Sequence, residues 1–363
     1  MVRRPGGVLL SAAVALATGV LASEADLYGV RVEGVTDGVY LAYRPDPLRY
    51  FVEGNCTIIV NERDVVVVDT GGAPLAARSV IAEIRKLTAN PVRVVINTHW
   101  HDDHRLGNQE YLKAFPGVEI VSHPFTRERI VSGGLETPDE ITPTFDSLRK
   151  RHADDTIRIR EEGRPGTDQV VAYMERYTRV DSYARERAYR EVVLTPPTTT
   201  LEGKLVLHRG PRAIEVSFMG HGDTAGDLVV YLPGERLLVT GDIVVSPIPY
   251  GFTARPSEWV RTLDRLASMD FEYLIPGHGE VQRDKSYIHK LRALVASVQT
   301  QVKAAVDAGL SLEQARQKVE LARFEEQFAG TDPVRRYLFR RWIATPLPRR
   351  AYEEFRPSAP ATN

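Results

Sequence analysis

Among 363 residues there is one cysteine, Cys56. A single thiol forms no intrachain disulfide and assembles no cysteine metal site. Cys56 is expected to be a small buried apolar residue. Charge of one sign is also missing: 47 Lys and Arg stand against 48 Asp and Glu, a net charge of −1. No basic stripe suggests a nucleic-acid partner. No apolar heptad is sustained, which speaks against a coiled coil, and no internal repeat is visible. Aromatic content is modest, at 8%, and 43% of residues are hydrophobic. These values suit one large α/β core with an added element.

Long apolar runs are nearly absent as well. One, Val8 to Leu21, lies behind Arg3-Arg4. Val20-Leu21-Ala22 and Ser23-Glu24-Ala25 offer two cleavage points, so residues 1–25 read as a secretory signal peptide. An uncleaved membrane anchor is the alternative. A twin-arginine route is weakened by the Pro-Gly-Gly that follows the arginine pair. Either way the body of the protein is expected in the periplasm or outside the cell.

The rest divides into a domain over 26–285 and a C-terminal helical extension and tail over 286–363, with a helical insert at about 124–193. Val30 to Phe51 alternates as short antiparallel strands do. Cys56–Val60 and Asp64–Asp69 read as a hairpin turning at Asn61-Glu62-Arg63. Leu75–Leu87 has helical apolar spacing, Val92–Asn97 reads as a buried strand, Leu106–Phe115 as a helix and Val118–Ser122 as a strand. The insert, rich in Arg, Glu and Tyr, reads as two or three helices broken at Gly163 to Gly166. It is either a solvated embellishment or a lid or homodimer contact over the site. Strands are expected at Thr198–Leu207 and Ala213–Phe218, and a hairpin at Leu228–Leu232 and Leu237–Thr240. Helices are expected at Ser257–Ser268, capped by Ser257, at Lys285–Ala308 and at Leu312–Leu321. The tail from Ser358 is expected to be disordered.

What the chain does have is concentrated at Thr98-His99-Trp100-His101-Asp102-Asp103-His104. Crowded imidazoles and carboxylates are costly to bury unless a cation neutralises them. His and Asp together suit zinc, with iron or manganese as alternatives. The cluster follows a buried strand, where α/β proteins place their chemistry. Val67-Val68-Asp69-Thr70-Gly71, Gly220 to Asp227, Thr240-Gly241-Asp242 and Pro276-Gly277-His278-Gly279 accompany it in order.

Together these segments resemble the signature of the metallo-β-lactamase-fold hydrolases, over about Gly29 to Gln282. The resemblance implies a four-layer αββα sandwich with two divalent metal ions on loops at one edge. It implies that His99 and His101 serve one ion and Asp103, His104 and His278 the other, with Asp242 bridging and Asp103 also catalytic. The bridging aspartate is similar to the glyoxalase-II-like pattern. The family's third ligand on the first ion is a histidine before Thr-x-Gly-Asp, and here that position is Asp223. Either Asp223 ligates directly, or the loop shifts so that His221 reaches in, or the first ion is labile. Asp69 is expected to orient a ligand histidine or the loop amides, and Asp227 to scaffold its loop. His123, Tyr250 and Phe252 are candidates for the substrate pocket. His152, His208 and His289 are expected at the surface.

A site of this kind implies attack by a metal-bound hydroxide on an ester, lactone or thioester carbonyl of a small-molecule substrate. The alternatives are β-lactam hydrolysis, a single-iron redox version, and a periplasmic metal-binding protein without turnover, which the aspartate at position 223 keeps open.

Overall fold

The computed structural model describes residues 28–44, 53–133 and 145–356. The signal peptide expected over residues 1–25 and the disorder expected from Ser358 lie outside the described residues. In the first half, strands β1 (Arg31–Thr36), β2 (Val39–Tyr43), β3 (Cys56–Val60) and β4 (Val65–Val68) run antiparallel to one another. Helix α1 (Pro74–Leu87) then crosses to β5 (Val92–Ile96), which pairs parallel with β4. Short helices α2 (Asp102–Arg105) and α3 (Asn108–Ala114) lead to β6 (Glu119–Ser122), parallel to β5. The insert follows as α4 (Pro124–Gly133), α5 (Phe145–Glu162), α6 (Thr167–Arg176), a π-helical turn at Tyr177–Asp181 and α7 (Ser182–Tyr189). A two-residue strand β7 (Thr199–Thr200) closes a seven-stranded sheet in sequential order.

The second half builds a five-stranded sheet from β8 (Lys204–Arg209), β9 (Arg212–Phe218), β10 (Leu228–Leu232), β11 (Leu237–Val239) and β12 (Tyr273–Ile275). Only β12 runs parallel to its neighbour, through the crossover helix α8 (Pro256–Ser268). Helices α9 (Ser286–Asp307), α10 (Leu312–Lys318), α11 (Ala322–Ala329), α12 (Pro333–Phe339) and α13 (Pro346–Phe355) complete the described chain. No helix among the described residues is long and apolar enough to cross a membrane.

The layering follows from side-chain alternation. β4 is four consecutive valines, all buried, because a central strand has apolar neighbours on both faces. Val66 and Val68 point between the sheets and meet Val216, Val230 and Val239. Val65 and Val67 point outward to Ala77, Val80, Ile81 and Ile84 of α1, a spacing that places all four on one helix face. The outer face of the second sheet, Val229, Leu238 and Leu274, is covered by Trp259 and Leu263 of α8 and by α9. The result is the αββα sandwich expected, with the helical insert and C-terminal helices in place. Cys56 is buried in the first of the two helix-facing cores.

Several local expectations are corrected. Thr198–Leu207 is not one strand: the chain turns at Leu201–Gly203 and β8 begins at Lys204. The helix expected from Leu106 is preceded by a separate helical turn, Asp102–Arg105. Ser257 does not cap α8. Pro256 already occupies the first helical position, and the Ser257 hydroxyl donates to Glu354 Oε1 of α13 at 3.1 Å. His152 is not at the surface: it is 4% exposed and its ring lies against Tyr177 at 5.0 Å. An α5 read as a solvated helix in fact packs its His152 face inward. His208 and His289 are exposed, as expected. Three further helices follow α10. Their Phe324, Phe328, Phe339 and Leu347, with Ile343 from the π-helical turn Arg340–Ala344 between the last two, enter the same core as Trp259 and Leu274, so the C-terminal extension is part of the outer helical layer.

Candidate metal centre

Each sheet contributes strand ends to one edge of the sandwich. β4 ends at Asp69, β5 runs into Thr98–His104, β9 and β10 are joined by the Gly220–Asp227 loop, β11 runs into a 3-10 turn at Gly241–Ile243, and β12 runs into Pro276–Gly279. The seven expected donors come together in two groups. His99, His101, Asp223 and Asp242 form one, and Asp103, His104 and His278 the other; within each, one donor atom per residue lies within 4.8 Å of every other. Asp242 stands between them. Its Oδ1 is 3.3 Å from His104 Nε2 and 3.6 Å from His278 Nε2, and its Oδ2 is 3.9 Å from His99 Nε2.

Asp69 sits behind the first loop. Its Oδ1 accepts from the Thr98 N–H at 2.8 Å, and its Oδ2 accepts from the Thr98 hydroxyl at 2.7 Å and lies 2.9 Å from His104 Nδ1. The contact turns His104 so that Nε2 faces Asp103, Asp242 and His278. Asp69 does this from a left-handed backbone, φ 61°, which costs a non-glycine residue of its kind little. Asp227 accepts from the backbone N–H groups of Gly222 and Thr224 and from the Thr224 hydroxyl, which shapes the loop that presents Asp223.

His221 belongs to neither group. Its Nδ1 is 3.3 Å from Glu258 Oε2 on α8, and its carbonyl accepts from Thr262. Asp223 instead points at the cluster, its Oδ2 3.2 Å from His101 Nδ1. His123 ends β6 with its ring on Phe218, 4.5 Å between centroids, outside both groups. The Tyr250 ring is 5.3 Å from that of His278 and 5.0 Å from that of Trp342 in the C-terminal extension. Phe252 stands 6.1 Å from Tyr250 and is 46% exposed.

The electrostatics are those of a cluster arranged for a cation. Burial would raise Asp103, but His104 and His278 outweigh it and hold the carboxyl well below its ordinary range. Burial would likewise raise Asp242, yet His104 and His278 bring it to about 2. Burial pulls His104 down, and Asp103, Asp242 and Asp69 overcome this and push it well above its ordinary value. His99 goes the other way, well below, through burial and then the charges of His104 and His101. Asp223 is raised by burial, with Asp242 adding to the effect.

Ring nitrogens also face ring nitrogens: His99 Nε2 is 3.0 Å from His101 Nδ1, and His104 Nε2 is 3.2 Å from His278 Nε2. Asp223 Oδ2 and Asp242 Oδ1 are buried without a hydrogen bond, although buried polar atoms are normally satisfied. Ring nitrogens converging in this way beside orphaned carboxylate oxygens make a donor set that fits divalent ions,. Glycine makes the room. A Cβ at Gly54 would sit 2.5 Å from His104 Cε1, and one at Gly277 would sit 1.9 Å from Asp242 Oδ1.

Two neighbours escaped the sequence reading. Glu53, 6% exposed, accepts from the Gly72 N–H at 2.5 Å, and burial lifts its carboxyl to about 8, with Asp103 adding to the rise. It carries no motif and lies beside a segment read only as strand. Tyr189 of α7 donates to Asp102 Oδ2 at 2.7 Å, so the insert is anchored on the histidine loop. A tyrosine 87 positions away from its partner leaves no periodic signal.

Comparison with known proteins places this geometry. A sequence profile for the metallo-beta-lactamase superfamily matches residues 49–141 and 144–278. A linear primary-alkylsulfatase from a Pseudomonas species is 24% identical over 272 residues, covering 71% of this chain and 48% of that protein. A hydroxyacylglutathione hydrolase from Gloeobacter violaceus is 36% identical over 89 residues, 24% of this chain and 33% of that protein. The chain thus spans about half or less of the curated relatives it matches. Among solved structures, a metallo-beta-lactamase from Pontibacter korlensis superposes with a TM-score of 0.51 at 20% identity, covering 74% of this chain and 99% of that one; this likeness speaks to the fold. Since the profile covers more than half of the sequence, the chain belongs to the metallo-beta-lactamase superfamily.

Proposed function

We propose that the protein is a two-metal hydrolase, with zinc as the metal, that cleaves an ester, thioester or lactone of a small molecule. The observation that carries this is the pair of buried donor groups meeting at Asp242. His99, His101 and Asp223 would hold one ion, and Asp103, His104 and His278 the other, with Asp242 reaching both. When bound, such ions supply Lewis acidity and lower the pKa of a water held at the centre. The chain's own residues do the rest. Asp69 would fix the His104 tautomer by accepting a hydrogen bond from its Nδ1–H,. Asp103, whose side chain is 23% exposed, is more open than Asp223 or Asp242, so as an ionised carboxylate it can meet a substrate and accept a hydrogen bond from a water that enters the centre. The Tyr250 ring, stacked edge-on to His278, supplies an apolar wall. The leader with Arg3-Arg4 and Val8–Leu21 supports a periplasmic or secreted location.

Sulfate-ester hydrolysis is a second reading, favoured by the relative that matches 71% of this chain. The test is a panel of a chromogenic acetate ester, a thioester, a lactone, an aryl sulfate and a chromogenic cephalosporin, given to zinc-loaded protein with Asp103→Ala as control. Zinc-dependent turnover of an ester, thioester or lactone above about 10⁴ M⁻¹s⁻¹, lost in the variant, is expected. Turnover of the sulfate alone selects the second reading. Cephalosporin alone makes the protein a β-lactamase. Zinc bound with no turnover of any member makes it a metal-binding protein.

A further inference from the structure

The insert places a cation against the metal-binding loop. Arg185 lies on α7, one helical turn before Tyr189. Its Nη2 and Nε both donate to the Tyr189 hydroxyl, at 2.8 and 3.2 Å, and Tyr189 in turn donates to Asp102 Oδ2 at 2.7 Å. The other oxygen of Asp102 accepts from Arg105 at 2.6 Å. Asp102 therefore already has a cationic partner, and the phenol stands between it and Arg185. Among the described residues no carboxylate lies within ion-pair distance of Arg185; its hydrogen bonds go to one neutral oxygen. Yet the guanidinium is half-buried and feels the fields of Asp102 and Asp103.

A half-buried arginine without a counter-ion is costly, and buried charges are normally paired. Two divalent ions held by Asp103, Asp223 and Asp242 would make this more acute, because three carboxylates leave a net charge of about +1 at the centre. Arg185 then adds a second uncompensated positive charge on the same side as Asp103. Tyr189 fixes one edge of the guanidinium and leaves Nη1 without an acceptor among the described residues. A planar fork with a free donor edge matches an oxyanion.

We propose that Arg185 is a specificity residue that receives an oxyanion group, carboxylate or sulfate, carried by the substrate. This deepens the hydrolase reading and rests on it for the location of the reacting bond. The anion would approach from the insert side while the ester reaches the centre near Asp103.

The experiment compares two aryl esters, a neutral acetate and a hemisuccinate with a free carboxylate, in zinc-loaded wild type, Arg185→Gln and Arg185→Lys. The readout is the ratio of kcat/KM for the anionic over the neutral ester. Arg185→Gln is expected to lower that ratio at least about ten-fold, through KM, and Arg185→Lys to recover part of it. In parallel, octanesulfonate is titrated calorimetrically into the same three proteins, with a Kd at least about ten-fold weaker expected for Arg185→Gln. A ratio unchanged within two-fold, or lowered equally by Gln and Lys, overturns the proposal and leaves the hydrolase reading intact. If no ester is turned over, the titration decides: a weakened Kd in Arg185→Gln sustains the anion site while the hydrolase reading fails, and equal Kd values remove the anion site too.

Discussion

Replacing Asp69 with asparagine changes one atom of the scheme behind His104. Asparagine accepts the left-handed backbone found there, φ 61°, so the turn should survive. The amide oxygen can still take the Thr98 N–H at the Oδ1 position. The amide nitrogen then occupies the Oδ2 position, 2.9 Å from His104 Nδ1 and 2.7 Å from the Thr98 hydroxyl. A donor now faces the imidazole. His104 must rotate, or move its proton to Nε2, and either change withdraws the lone pair directed at Asp103, Asp242 and His278. Loss of such a supporting carboxylate costs about 10–100-fold in metal affinity, or about 1.4–2.8 kcal/mol. In the metal-free protein the change should cost less than the full lost hydrogen bonds, because burial already raises the Asp69 carboxyl. The assay is zinc competition against a chromogenic chelator, resolving two affinities. The weaker one in Asp69→Asn is expected to fall in that range, while the other moves little. Two affinities within two-fold of wild type would refute the argument that Asp69 acts through His104.

Three more expectations follow from the same geometry. Glu53 prefers its neutral form in the fold, since burial carries its carboxyl from 4.5 to about 8; its stabilising contribution is full below pH 4.5 and lost as pH rises towards 8, by at most about 5 kcal/mol. Metal-free Glu53→Gln should therefore melt above wild type at pH 9 and level with it at pH 4.5, and a lower Tm than wild type at pH 9 contradicts this. Gly277→Ala drives a Cβ into Asp242 Oδ1, so metal-dependent activity should drop at least about 100-fold; retained activity would mean that the carboxylate is free to move. Chelation should lower Tm by about 5 °C or more, since ions at a hundred times their Kd add about 2.7 kcal/mol each, and a Tm indifferent to chelator argues against structural coupling of the centre.

Much of the edge of the sandwich could be read from the chain because short-range chemistry marks it. Asp69, the His99–His104 run, Asp242 and His278 each follow an apolar strand, and strand periodicity locates strand ends well. Asp227 was legible for a similar reason, as a carboxylate inside a glycine-rich loop. What escaped depends on distant packing. Glu53 looks like any surface glutamate until Gly72 and the loop of Asp103 close over it. Arg185 and Tyr189 look like members of a solvated helix until that helix lands on Asp102. The burial of His152 and the packing of the helices after Lys318 were missed because they are decided by partners on other elements, Tyr177 for the first and Trp259 and Leu274 for the second. Ser257 has the composition of a cap, but Pro256 takes the first turn and Glu354 takes the hydroxyl.

The two donor groups draw on both sheets, and this has a consequence for how the protein is made. His99 to His104 belong to a strand end of the first sheet; Asp223, Asp242 and His278 belong to the second, and His104 meets His278 across 174 positions. A nascent chain exposes the histidine loop long before β12 and its Pro276–Gly279 turn leave the ribosome. Until then the loop carries imidazoles and acids with no opposing half, and any ion it captures is only partly enclosed. Metal capture and sheet docking thus become one late event, of the slow, non-local kind. Zinc supplied during refolding should therefore accelerate or trap the last step of assembly and leave the first sheet's formation untouched.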